Sequence, residues 1–230
     1  MTYELIIGDR LFSSWSLRGW LMLEKFGLPH RVQLVGLYSG TFAQDLVPFA
    51  PASTVPILRT PEGIVLAESL AMAETLAEAH PEAGLWPKNA ERRARARWLS
   101  AEMVSGFHAL RAECPMQLAH VWRGFEPTEK VMHDLERIET LWTSAWNLAG
   151  SSKGWLLGDY SLADVFFAPF AARVLGYGLP VSDAARAYSQ RVAADPAFVR
   201  WRNEALTVTY DPFPYPQQLP QEPWPKPSDH

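Results

Sequence analysis

Between Pro81 and Pro87 the hydrophobic rhythm of the chain changes character. Ahead of that stretch, short β-forming runs alternate with apolar residues at helical spacing. Tyr3-Glu4-Leu5-Ile6-Ile7 stops at Gly8-Asp9, Leu17 to Phe26 carries a helical pattern ended by Gly27 and Pro29, and His30 to Leu37 is strand-like again. Strand, helix, strand in that order predicts a βαβ unit with parallel strands. Tyr38 to Pro51 is less regular, with room for a short helix over Phe42 to Val47. Val55-Pro56-Ile57-Leu58-Arg59 and Ile64-Val65-Leu66 flank Thr60-Pro61-Glu62-Gly63, a sequence suited to a type I turn between antiparallel strands. Pro56 has no N–H to give a sheet and belongs at the first residue of its strand. Ala67-Glu68-Ser69 then opens a helix to about Ala79.

Beyond Pro87 the sequence carries no strong strand signal. Asn89 to about Ala119 reads as one long helix with Trp98, Met103, Phe107 and Leu110 on its apolar side, and Thr128 to about Leu148 as a second. Ser161-Leu162-Ala163-Asp164 has the serine-to-acid spacing of a capping box. The run that follows, Val165 to Leu175, is apolar nearly all round, which predicts a central buried helix bent at Pro169. Shorter helices fit Ser182 to Ala194 and Pro196 to Leu206. The expected fold class is α/β plus all-α: an α/β unit over 1–80, a linker over 81–88, an all-helical unit over 89–210, and a Pro-rich tail over 211–230 that is extended or disordered. Phe213, Tyr215 and Trp224 are the tail residues able to dock on the body.

Composition narrows the function classes. The chain has 230 residues, 48% of them hydrophobic, enough for a full core, and a net charge of −4 with both signs interspersed. No broad basic field points to nucleic acid or an anionic membrane. The arginines at 92, 93, 95 and 97 read as a solvated helix face, because Glu91 stands four residues before Arg95. No apolar run approaches the roughly 20 residues of a membrane span. A single cysteine, Cys114, and no leader-like start point to the cytoplasm. The six histidines lack metal-ligand spacing, so no metal is expected.

The chemistry is expected at Ser13-Ser14-Trp15-Ser16-Leu17-Arg18, where a loop turns into the first helix. Serines in that place can cap the helix, and the same unpaired N–H groups favour a negatively charged ligand. Capping and function remain open on these residues alone.

The α/β order, a strand beginning Val55-Pro56, Glu68-Ser69 at a helix start and a helical second half together resemble the cytosolic glutathione transferases, over roughly residues 3 to 206. The resemblance implies a thioredoxin-like first unit that binds glutathione as co-substrate and a helical unit that supplies most of the second-substrate pocket. The serine segment is similar to the zeta-class pattern Ser-Ser-Cys-x-x-Arg, with Trp15 in place of cysteine. Val55-Pro56 matches the family's Val-cis-Pro, Glu68-Ser69 its glutamyl site, and Ser161 to Asp164 its helical-domain capping motif. Ser100 to Leu118 is similar to a bacterial branch in which a histidine often occupies the position of Val104.

By that resemblance Ser13, five residues before Arg18, contacts the sulfur, with Ser14 and Ser16 as the competing hydroxyls. Val55 and Pro56 hold the cysteinyl part, and Glu68 and Ser69 the γ-glutamyl end. Ser53-Thr54 replaces the Lys or Gln often found before Val-Pro, which leaves the glycyl carboxylate without a marked partner. Trp15, Phe107, His108 and Arg111 are the candidates for the second-substrate pocket, with Met116 nearby, while Cys114 is expected to be inert. The implied activity is conjugation of the glutathione thiolate to a small hydrophobic electrophile by a homodimer. A glutathione-dependent cis-trans isomerase of maleylacetoacetate type and a non-catalytic glutathione-binding protein are the alternatives.

Overall fold

The computed structural model describes residues 2–207 and 218–225. It begins with β1 (Tyr3–Ile7), α1 (Ser14–Glu24) and β2 (His30–Leu34), followed by a short α2 (Phe42–Asp45) and a 3-10 turn at Val47–Phe49. Then come β3 (Ile57–Arg59), β4 (Val65–Leu66) and α3 (Ser69–Ala79). The four strands form one sheet in the order β2-β1-β3-β4, with β2 parallel to β1 and β3 antiparallel to both β1 and β4. The expected βαβ unit and antiparallel pair are both present. The turn between β3 and β4 is closed by the Gly63 N–H donating to the Thr60 carbonyl at 2.9 Å.

Alternation along β1 divides the core. Leu5 and Ile7 face one side with α1 and α3, packing with Leu17, Leu21, Met72 and Leu76. Ile6 faces the other with Val35, Leu46, Phe49, Val55 and Ile57. Every residue of β1 except Glu4 is buried, so its register cannot slip without carrying apolar side chains to the opposite face.

The rest of the described chain is mainly helical: α4 (Ala90–Ser105), α5 (His108–Glu113), α6 (Glu129–Ala149), α7 (Leu162–Tyr177), α8 (Asp183–Ala194) and α9 (Pro196–Ala205). The stretch 81–88 is packed into the body. Leu85 and Trp86 are buried, and the Leu85 carbonyl accepts the Leu162 N–H at 2.9 Å. Helix α7 is the centre. All of its residues except Leu175 are buried, and it continues through Pro169. Phe167 and Phe170 meet Trp142 of α6 edge-on, with ring centroids 5.6 and 6.0 Å apart.

Two expectations are corrected. The single helix over 89–119 is two. Gly106 ends α4 with its backbone so close to the Glu102 carbonyl that a Cβ would lie 2.8 Å from that oxygen, and Phe107 then adopts φ +57°. Second, strands do follow residue 87. β5 (His120–Trp122) pairs antiparallel with β6 (Gln221–Pro223). The tail is therefore anchored where it is described, with Trp224 buried beside Gly176 and under Arg202. Phe213 and Tyr215 lie outside the described residues. Trp98 on α4 is 50% exposed, its indole N–H donating to Glu102 and the Arg95 guanidinium 4.9 Å from its ring. No helix among the described residues is long and apolar enough to cross a membrane.

Candidate active site

The loop between β1 and α1 is fixed before any ligand arrives. The Asp9 carbonyl accepts the N–H groups of Phe12 and Ser13 at 3.1 and 2.8 Å, and its carboxylate accepts the Leu37 N–H at 2.8 Å. Ser13 is then the N-cap of α1, and its oxygen accepts the Ser16 N–H at 3.2 Å. The Ser13 hydroxyl donates to Ser16 Oγ at 2.7 Å, and Ser16 Oγ also accepts the Gly8 N–H at 2.9 Å. Ser16 is fully buried and joins β1 to α1, so it is closed to a ligand as it stands. Ser13 keeps 8% of its surface exposed. Ser14 is half-buried at the first helical position, and among the described residues its hydroxyl has no hydrogen-bond partner.

Helix α1 approaches the β3 entry closely. A Cβ on Gly19 would lie 2.8 Å from Cβ of Pro56, so only glycine allows this contact. The Val55–Pro56 bond is cis, as the sequence leads one to expect. Val55 and Pro56, together with Trp15, Glu68, Ser69 and Val104, line a cleft of about 290 Å³ between the sheet-bearing part and α4. Glu68 is the N-cap of α3 and Ser69 its first residue, so the unpaired N–H groups of a second helix also open there. The Ser69 hydroxyl has no partner among the described residues. The cleft can thus offer backbone groups at Val55, a carboxylate at Glu68, and a hydroxyl with helix N–H groups at Ser69.

Two cations lie against the Trp15 ring. The Arg18 guanidinium lies 4.3 Å from it and that of Arg111 5.0 Å. Arg18 is 1% exposed, donating from Nε to the Phe166 carbonyl at 2.8 Å and from one terminal nitrogen to the Ser14 carbonyl at 3.2 Å. Burial, and then the like charges of Arg173 and Arg111, push its pKa well down from the usual guanidinium value. Arg111 is half-buried, and burial lowers its pKa too.

The other candidates lie elsewhere. Phe107 is 5% exposed and packs against Phe167 and Phe170, so it serves the core, and Met116 is likewise buried. His108 is exposed in a different, shallow depression with Glu129 and His133. Among the described residues no group of His, Cys, Asp or Glu gathers as a metal site. Val104, the position where the similar bacterial branch often has a histidine, enters the cleft. Cys114 is fully buried, and burial pushes its thiol up to about 12. The native protein should therefore leave an aromatic disulfide reagent unreacted, with one thiol titrating only in denaturant. Rapid reaction of the folded protein would contradict this.

A family model described as the N-terminal domain of glutathione S-transferase matches residues 12–79. The maleylacetoacetate isomerase of Pseudomonas aeruginosa is 31% identical over 159 residues, covering 64% of this chain and 70% of that protein. A probable maleylacetoacetate isomerase of Caenorhabditis elegans is 28% identical, covering 81% and 86%. Among solved structures, a glutathione transferase homologue from Burkholderia with bound glutathione superposes with a TM-score of 0.69 at 24% identity, covering 90% of this chain and all of that one. A glutathione transferase from Methylococcus capsulatus gives 0.65 at 22%, with the same coverage. Those two structures bear on the fold alone. The curated relative from Pseudomonas, together with the matched N-terminal model, places this chain in the glutathione transferase family.

Proposed function

We propose that the cleft binds glutathione and that the protein activates its thiol for transfer to a small hydrophobic electrophile. The observation that carries this reading is the convergence of three separate segments on one cleft: the first turn of α1, the Val55–Pro56 turn and the Glu68–Ser69 helix start. Val55 pairs its backbone with the cysteinyl part as an added strand would. Glu68 takes the α-amino group, and Ser69 with the opening N–H groups of α3 takes the γ-glutamyl carboxylate. A free thiol titrates near 8.5, so bringing it to about 7 needs roughly 2 kcal/mol of thiolate stabilisation. Ser13 supplies a donor by turning its O–H from Ser16 to the sulfur, exchanging a neutral hydrogen bond for a charge-assisted one at a helix N-terminus. Serine acts here by holding an anion and needs no general base.

The test is retention on immobilised glutathione followed by an aryl-halide conjugation assay. Passage straight through the column, with no conjugation above the uncatalysed rate, would reject the reading. A second reading, glutathione-dependent cis-trans isomerisation, is favoured by the two curated relatives, a maleylacetoacetate isomerase and a probable one. Trp15 in place of the zeta-class cysteine weighs against it, and turnover of a cis-enone diacid without net consumption of glutathione would establish it.

The active form in this proposal is a homodimer. Trp98, half-exposed on α4 next to the Arg97–Glu74 ion pair that ties α4 to α3, supplies apolar surface for a two-fold contact. Light scattering at micromolar concentration should give about twice the chain mass of 25.9 kDa. A mass that stays at the single-chain value at every concentration would exclude the dimer.

A further inference from the structure

At the other end of α1 from the serines lies a second and larger cavity, of about 720 Å³, between the sheet-bearing part and the helices. Lys25 and Phe26 just after α1, Trp86 and Lys88 ahead of α4, Arg92 in the first turn of α4 and Tyr160 before α7 line it. Lys25 is about 16 Å along the helix from Ser14 at 1.5 Å per residue, and no residue lines both this cavity and the cleft. Its volume falls within the roughly 300–1,000 Å³ of small-molecule sites.

Its charges are not all balanced. Lys25 is paired with Asp195, but Lys88 and Arg92 have no acidic partner among the described residues. The Arg92 guanidinium donates only to carbonyls, those of Leu157 at 3.4 Å and Ala149 at 3.5 Å, both long. Gly158, at φ +98°, leaves it room, since a Cβ there would lie 3.2 Å from one of its terminal nitrogens. A half-buried guanidinium held so loosely gains most from an anionic acceptor. Of the two acids in the lining, Glu82 approaches His80 at 3.5 Å, while Asp159 is exposed and its carboxylate has no partner among the described residues.

We infer that this cavity binds a nucleoside monophosphate, with its phosphate on Lys88 and Arg92, its base packed on the aromatic wall of Phe26 and Trp86, and its sugar hydroxyls donating to Asp159. A dianionic phosphate matches the two unpaired cations in charge, and the planar guanidinium offers paired donors to its oxygens. A flat base gains from stacking on an aromatic face whatever its identity. The Tyr160 hydroxyl, without a partner among the described residues, keeps its proton because burial pushes its pKa well up, and it adds a donor for a ring nitrogen. An apolar carboxylate or sulfonate of the same size would set apolar surface against Asp159 and give it no donor, so the sugar-bearing class fits better. The cavity and the cleft are separate, so the nucleotide is held whether or not the cleft is filled.

The probes are adenosine 5′-monophosphate, adenosine and ribose 5-phosphate, titrated calorimetrically into the full-length protein with and without saturating glutathione. The monophosphate should bind about tenfold more tightly than either fragment, because each fragment lacks one set of contacts. Lys88→Gln, at an exposed position, should weaken both phosphates about three- to tenfold and leave adenosine unchanged. Phe26→Leu should weaken the monophosphate and adenosine and spare ribose 5-phosphate. Binding of none of the three, a monophosphate no tighter than adenosine, or Lys88→Gln and Arg92→Gln proteins that both bind it as the wild type does would overturn the inference. So would displacement of the monophosphate by glutathione, since the nucleotide would then sit in the cleft. A protein that ignores glutathione but binds the monophosphate with these variant effects would sink the glutathione reading and leave the nucleotide site standing.

Discussion

Ser13→Ala should lower turnover with glutathione about 10- to 1,000-fold, the range for loss of one preorganised donor, and should raise the pKa of the bound thiol. The direct readout is thiolate absorbance against pH in the binary complex. Affinity for glutathione should fall much less, because Val55, Glu68 and Ser69 hold the rest of the tripeptide in the proposed arrangement. The substitution also removes the N-cap of α1, at about 1 kcal/mol, so melting must be followed alongside. Ser14→Ala is the decisive control. Ser14 is the half-buried hydroxyl without a hydrogen-bond partner among the described residues, while Ser13 is already bonded to Ser16. If Ser14→Ala raised the thiol pKa and Ser13→Ala did not, the sulfur contact would move one residue along the helix. Ser16→Ala should act on stability instead, because it leaves the buried Gly8 N–H without its acceptor.

That contrast marks how far residues alone could carry the site. The positions of Val55-Pro56 and Glu68-Ser69 at element starts were legible because chain chemistry is restrictive there, whereas the roles proposed for them and for the serines came from the resemblance. The hydroxyl directions were not readable, since three serines within four residues have equal local claims and it is the approach of Gly8, together with Ser13, that engages Ser16. Arg111 could be marked as a candidate, but its approach to the Trp15 ring depends on how α5 sits against α1, and no spacing encodes that. The sheet was legible for the same reason as the motifs: β1 to β4 are local in sequence, with turns of strong signature between them. The break after α4 was hidden because a phenylalanine, which rarely takes positive φ, occupies the left-handed position beside Gly106. β5 was hidden because its partner is a Pro-containing segment about a hundred residues later, beyond any pattern that reads a window of neighbours.

Asp164→Ala should destabilise the fold by about 3–5 kcal/mol, well above the roughly 1 kcal/mol of an exposed cap, because the carboxylate is fully buried and serves three elements of structure. One oxygen accepts the Leu156 N–H and the Tyr188 hydroxyl, each at 3.0 Å; the other accepts the Ser161 N–H at 3.0 Å and its hydroxyl at 3.3 Å. Alanine leaves those donors unpaired in the interior. The pH dependence identifies the cause. Burial is the largest influence on this carboxyl and raises its pKa from 3.8 to about 6, against the lowering effect of the four hydrogen bonds. The folded state therefore binds a proton between about pH 4 and 6 that the unfolded chain has already released. Stability from this group is full below the unfolded value and is lost as the pH rises through about 6. Asp164→Asn mimics the protonated shape and cannot titrate. In urea melts the wild type should gain on Asp164→Asn by about 2 kcal/mol from pH 7.5 to 4.5. A gap that stays constant, or that widens toward high pH, would mean that the buried carboxylate is held ionised by its donors more strongly than its burial opposes. Turnover per folded molecule should be unchanged in both variants, since α7 begins away from the cleft residues and supports them only through packing.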